Sequence, residues 1–126
     1  MVEQKKVLII DDQDEFRYVL KYQLESKGLC VLEADDGEKG IDIARKELPQ
    51  LILLDGKMPG MGGAEVFQTL KSDPATEKIP VIIISGKSRE DKEWQDLKEM
   101  AAGVIEKPCR LEELNEKISQ IIGDLG

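Results

Sequence analysis

Asp11-Asp12, Asp55 and Ser85 each follow directly on a short apolar run, and Lys107 follows a fifth, weaker one. Together they offer three carboxylates, one hydroxyl and one ammonium, spread from position 11 to position 107. Taken singly these residues have ordinary explanations, since an Asp pair ahead of a helix is a common N-cap and Ser85 can cap a loop. Held together, three carboxylates repel one another by about 1 to 4 kcal/mol per pair at plausible dielectric constants, so such a group calls for a cation. The sequence contains no histidine, and Cys30 and Cys109 show no metal-ligand spacing, which removes the usual zinc ligands and the usual acid/base side chain. Hard carboxylate oxygens without imidazole or thiolate suit Mg²⁺.

The elements that must position these residues are legible as apolar patterns. Val7–Ile10, Leu51–Leu54 and Val81–Ile84 are short, continuous apolar runs, as in strands buried on both faces of a parallel sheet. Cys30–Ala34 and Ala102–Glu106 are weaker strand candidates. Between them fall segments of helical period. Phe16, Val19, Leu20, Gln23 and Leu24 share one stripe, with Gly28 placed to stop the helix. Ile41 with Ala44 and Leu48, Val66 with Leu70, Trp94 with Leu97 and Ala101, and Leu111 with Leu114, Ile118, Ile121 and Leu125 predict four more. Strict alternation of strand and helix predicts a doubly wound α/β fold, a five-stranded parallel sheet with five helices, because right-handed crossovers must cover both faces. In such sheets ligands sit beyond the carboxyl ends of the strands, which is where Asp11, Asp12, Asp55, Ser85 and Lys107 fall.

The length of 126 residues predicts a single domain, without linker or repeat. With 18 basic against 26 acidic side chains the net charge is −8, the wrong sign for direct nucleic-acid binding through phosphate neutralisation. No apolar run approaches the roughly 20 residues of a membrane-spanning helix, and the N-terminus lacks the pattern of a secretory signal, so a cytoplasmic protein with reduced thiols is expected.

Val7-Leu8-Ile9-Ile10-Asp11-Asp12, Leu53-Leu54-Asp55 with Met58-Pro59-Gly60-Met61-Gly62-Gly63, Ile83-Ile84-Ser85-Gly86 and Glu106-Lys107-Pro108 occur in that order. At this spacing they resemble the receiver domains of two-component response regulators, of the chemotaxis-regulator type, over essentially the whole chain. The resemblance implies the flavodoxin-like strand order 2-1-3-4-5. It implies one receiver domain over residues 1–126, with no output domain in this chain. It further implies that Asp55 accepts a phosphoryl group from a histidine kinase or phosphotransfer protein, and that the protein signals rather than turning over a substrate. Asp12 and Asp55 would then bind Mg²⁺ directly, Asp11 through water, and the backbone carbonyl of Lys57 would complete the set. Lys107 would pair with the phosphoryl oxygens and Ser85 would move to hydrogen-bond one of them. The consequence would be read by a downstream protein target or output domain at the face formed by the fourth helix, fifth strand and fifth helix.

Two positions depart from the family pattern. Val104 stands where an aromatic residue usually precedes the strand-five lysine by three positions, and Met100 stands where a glycine commonly ends the fourth helix. Lys57 and Lys87, two positions beyond the acceptor and the switch hydroxyl, are long cations beside the expected path of attacking water, which predicts a long-lived phosphoryl group. Gly86-Lys87-Ser88 imitates the end of a phosphate-binding P-loop, but Val81 occupies the position of its first glycine. A dehalogenase-type phosphatase would need a second aspartate where Lys57 stands, and Asp11-Asp12 would repel a flavin phosphate. The glycines of Pro59–Gly63 are expected to supply only backbone freedom in a turn. Trp94 is expected in the core, and Cys109 as a packed thiol.

Overall fold

The computed structural model describes residues 4–56, 58, 60–85, 100–106 and 110–123, and of Ser85 the backbone alone. Its strands are β1 (Lys6–Ile10), β2 (Cys30–Ala34), β3 (Leu51–Asp55), β4 (Val81–Ser85) and β5 (Gly103–Glu106). The helices among the described residues are α1 (Asp14–Ser26), α2 (Gly37–Glu47), α3 (Gly63–Ser72) and a C-terminal helix, α4 (Leu111–Ile122). The five strands form one sheet in the order β2-β1-β3-β4-β5, every neighbouring pair parallel. Four of the five expected helices are therefore present, and the one expected around Trp94 and Leu97 lies outside the described residues. No helix among them is long and apolar enough to cross a membrane.

Alternation along the central strands divides the core into two. Leu8, Ile10, Ile52, Leu54 and Ile83 face Ile41, Ala44, Val66, Phe67 and Leu70 of α2 and α3. Val7, Ile9, Leu51, Leu53, Ile82 and Ile84 face Leu20 and Leu24 of α1 and Leu114, Ile118 and Ile122 of α4. Because both faces are covered, the strands need not alternate in polarity, which is why they read as continuous apolar runs.

The helix stripes differ from the sequence expectation at their margins. In α1 the buried positions are Arg17, Leu20 and Leu24, whereas Val19 is half exposed. A charged side chain thus takes the place on the buried stripe that an apolar one was expected to hold. Leu48 is not part of the α2 stripe. It ends the helix in a left-handed conformation at φ 46° and turns to solvent, ahead of a proline that cannot continue the helix. In α4 the deepest residues are Leu114, Ile118 and Ile122, one apolar row at i, i+4 and i+8, with Ile121 at its edge, and Leu125 lies outside the described residues. Met100 is exposed and the chain bends at Ala101–Ala102 before β5 begins at Gly103.

Candidate functional site

Parallel pairing sets the site's coordinates. Ile10 lies opposite Leu54, so β1 releases the chain at Asp11 where β3 is completing its last turn of pleat at Asp55. Asp55 in turn lies opposite Ile84, with the amide of Gly56 donating to the Ile84 carbonyl at 2.9 Å. One carboxylate oxygen from each of Asp11, Asp12 and Asp55 falls within a cluster no wider than 4.8 Å. Asp11 and Asp55 are buried and Asp12 is exposed, so the cluster has a closed floor and an open side.

The Asp pair does not cap α1. Gln13 is the N-cap residue, and its side chain makes no capping bond. Asp11 is instead held as a fixed corner. Its amide donates to the Ala34 carbonyl on β2 at 3.1 Å, its side-chain Oδ1 accepts the Gln13 amide at 2.8 Å, and its carbonyl accepts Nη1 of Arg17 at 2.6 Å. Arg17 is itself 8% exposed, with Nε directed to Glu33 of β2 at 3.4 Å and Nη2 to Asp14 of α1. Burial works against its charge, and the hydrogen bonds and field of Asp14 and Glu33 outweigh burial and hold the guanidinium above its ordinary range.

Asp55 is positioned from below by the start of α3. A methyl group built on Gly63 would lie 2.5 Å from the Asp55 carbonyl oxygen and 2.7 Å from Cα of Gly56. The helix can therefore approach the acid-bearing strand only because this residue has no side chain. Gly60 supplies the conformational freedom expected of the turn, at φ 77°, but Gly63 serves close approach, a role that composition alone did not reveal.

The remaining expected site residues divide by position. Ser85 ends β4 one residue beyond Ile84, the partner of Asp55, and pairs with Glu106 on β5; its side chain is outside the described set, as are Lys57, Lys87, Lys107 and Cys109. Val104 is half-buried against the core beneath α2 and α3. Cys30 opens β2, opposite Lys6 and at the far end of the sheet from the acids. Sequence reading missed Arg17 and Gly63. A signal for Arg17 existed, since it stands three and seven residues before Leu20 and Leu24 on the buried row.

The cluster fits the hard cation expected from its chemistry. Magnesium–oxygen bonds near 2.1 Å place opposite ligands about 4.2 Å apart, so a cluster of this width accommodates a mixture of direct and water-mediated carboxylates. Every donor is an oxygen, and no histidine exists in the chain to favour a softer metal.

The family model for the response regulator receiver domain matches residues 7–119. The chain is 36% identical over 118 residues to Protein PilH of Pseudomonas aeruginosa, covering 93% of this chain and 97% of that one. It is 34% identical over 122 residues to the phosphate regulon transcriptional regulatory protein PhoB of the same organism, covering 97% of this chain and 53% of that relative. It thus spans about half of PhoB's length. Among solved structures, the Vibrio cholerae chemotaxis protein CheY4 gives a TM-score of 0.85 at 26% identity, over 95% of this chain and 100% of that chain. A CheY-like receiver domain protein from Methanospirillum hungatei also gives 0.85, at 27% identity, over 94% and 93%.

Proposed function

This chain belongs to the response regulator receiver domain family, and from that premise we propose that Asp55 is its phosphoryl acceptor. The observation that carries the proposal is the burial of Asp55 at the end of β3 beside Asp11 and Asp12. A carboxylate oxygen of Asp55 attacks the phosphorus of a phosphohistidine on a kinase or phosphotransfer protein. The new O–P bond forms as the N–P bond breaks, and the imidazole leaves with the electron pair and takes up a proton. Asp12, Asp55 and the Lys57 carbonyl would hold Mg²⁺ directly, and Asp11 would hold it through water, as the family resemblance implies. When bound, the ion supplies charge neutralisation and alignment for the transferring group. Lys107 neutralises a further phosphoryl oxygen and Ser85 closes on another.

The chain accordingly works as a signalling switch, catalysing no more than its own phosphoryl transfer and slow loss of the group. The added charge of about −1.5 to −2 and three acceptor oxygens reorganise the site and, through it, the surface read by a downstream protein or output domain. Incubation with acetyl phosphate and Mg²⁺ is expected to add one phosphoryl mass to the intact protein. Asp55→Asn is expected to abolish it, and Asp55→Asn with Ser85→Ala separates true loss from surrogate labelling of the hydroxyl. Undiminished labelling of the double variant overturns the assignment.

A further inference from the structure

Arg17 is the one charged side chain of α1 on the helix's buried row, and it reaches three separate elements. Nη1 takes the Asp11 carbonyl at 2.6 Å, Nε faces Glu33 of β2 at 3.4 Å, and Nη2 takes Asp14 in the first turn of its own helix. Its backbone amide also closes the first bond of α1, to the Gln13 carbonyl at 3.1 Å. The loop from Asp11 to Gln13 is therefore pinned at both ends by a single residue. We propose that Arg17 is a positioning residue for the acidic cluster: it fixes the orientation of the Asp11–Asp12 peptide and thereby the placement of both carboxylates toward a divalent cation.

The physical argument is one of geometry and compensation. A lysine offers a compact point charge, but only the planar guanidinium fork can serve a backbone carbonyl and two carboxylates from one buried position. Glu33 is also paired with Lys21 at 3.3 Å, so the anion that orients Arg17 is itself oriented. With Asp14 and Glu33 on its other nitrogens, the guanidinium charge is balanced locally. Its effect on the cluster is then exerted through the Asp11 carbonyl rather than through long-range repulsion of a metal.

That distinction gives the test a sign. Were Arg17 only a nearby positive charge, removing it would tighten Mg²⁺ binding; were it only a packing residue, removal would lower the melting temperature and leave affinity unchanged. Positioning predicts weaker binding, by about tenfold or more, the usual consequence of freeing a partner that orients a metal ligand. Mg²⁺ titration calorimetry on the intact protein should show this for Arg17→Met and also for Arg17→Lys, which keeps the charge but loses the fork. A second readout needs no metal. The Gln13 amide, bonded to Asp11 Oδ1, should lose hydrogen-exchange protection in both variants while the amides of Leu20 and Leu24 keep theirs, which also shows that the variants are folded.

The affinity arm rests on the reading of the acids as a Mg²⁺ site. If the parent protein binds no Mg²⁺, that reading fails and Gln13 exchange alone decides the role of Arg17. Unchanged or tighter Mg²⁺ binding in both variants, or unchanged Gln13 protection, overturns the inference.

Discussion

The cluster of Asp11, Asp12 and Asp55 is held against its own repulsion, which at separations up to 4.8 Å amounts to about 1 to 4 kcal/mol per pair depending on the local dielectric. Asp12 is the exposed member and makes the smallest contribution to packing. Asp12→Ala should therefore raise the melting temperature of the metal-free protein, by an amount corresponding to about 1 kcal/mol. The parent should gain stability on adding Mg²⁺ as RT ln(1 + [L]/Kd), about 1.4 kcal/mol at ten times Kd. In Asp12→Ala most of that gain should vanish. Thermal melts with and without Mg²⁺ check both halves, and an undiminished Mg²⁺ response in the variant would remove Asp12 from the metal site.

The elements impose their own requirements, which substitutions far less chemical than Asp55→Asn expose. Alanine at Gly63, the first residue of α3, restricts the unfolded chain, a gain of under about 1 kcal/mol, yet its methyl group must enter space 2.5 Å from the Asp55 carbonyl. Backbone on both sides of the contact cannot swing away as a side-chain tip can. Gly63→Ala should destabilise by roughly 1 to 3 kcal/mol and slow acetyl-phosphate labelling. Gly62→Ala meets nothing within 4 Å and should cost under about 1 kcal/mol, the loss of a tolerable N-cap residue. Urea melts and labelling rates of the pair separate close approach from the backbone effect of replacing glycine; equal behaviour would contradict it.

The loop leaving α3 is tied by Asp73, which accepts the Ala75 amide at 2.9 Å and Nε of Arg45 from α2 at 2.7 Å. The Ala75 amide first, and then Arg45, draw its carboxyl below the ordinary 3.8. A depressed folded-state value means that stability is present above that ordinary range and is lost as pH falls through the folded one. Asp73→Asn should thus be less stable than the parent at neutral pH, with the gap closing on acidification below about pH 4. A gap independent of pH would show that the bonds, not the charge, account for Asp73. These element-scale features explain what the sequence made legible. Strand order apart, the five-strand alternation and the Asp11, Asp12 and Asp55 convergence follow from where apolar runs stop, a one-dimensional signal. Arg17 and Gly63 depend on what lies across the gap from them, β2 for one and the Asp55 carbonyl for the other, and periodicity carries no record of a partner distant in sequence.

At the scale of the molecule, a charge placed on Asp55 must be felt at a surface to count as a signal. The sheet provides a short route: Asp55 pairs with Ile84, Ser85 pairs with Glu106, and Ile83 pairs with Val104 two residues back on the same strands. Receivers usually carry an aromatic side chain at the position of Val104, large enough to exchange between the interior and the surface. Here a small β-branched residue packs half-buried against the core beneath α2 and α3, with a restricted χ1 and no ring to relocate. Movement of Ser85 toward the phosphoryl group would then leave β5 nearly as it was. Acetyl phosphate with Mg²⁺ should accordingly shift backbone amides strongly at Asp11, Asp12, Asp55 and Gly56, and only weakly along Gly103–Glu106. Val104→Tyr should extend the large shifts into β5, restoring an element that can occupy either of two places. Amide spectra of both proteins, phosphorylated to equal extent by mass, decide the matter. If the parent's shifts already run through β5 as strongly as the tyrosine variant's, the signal crosses this sheet without a rotating ring.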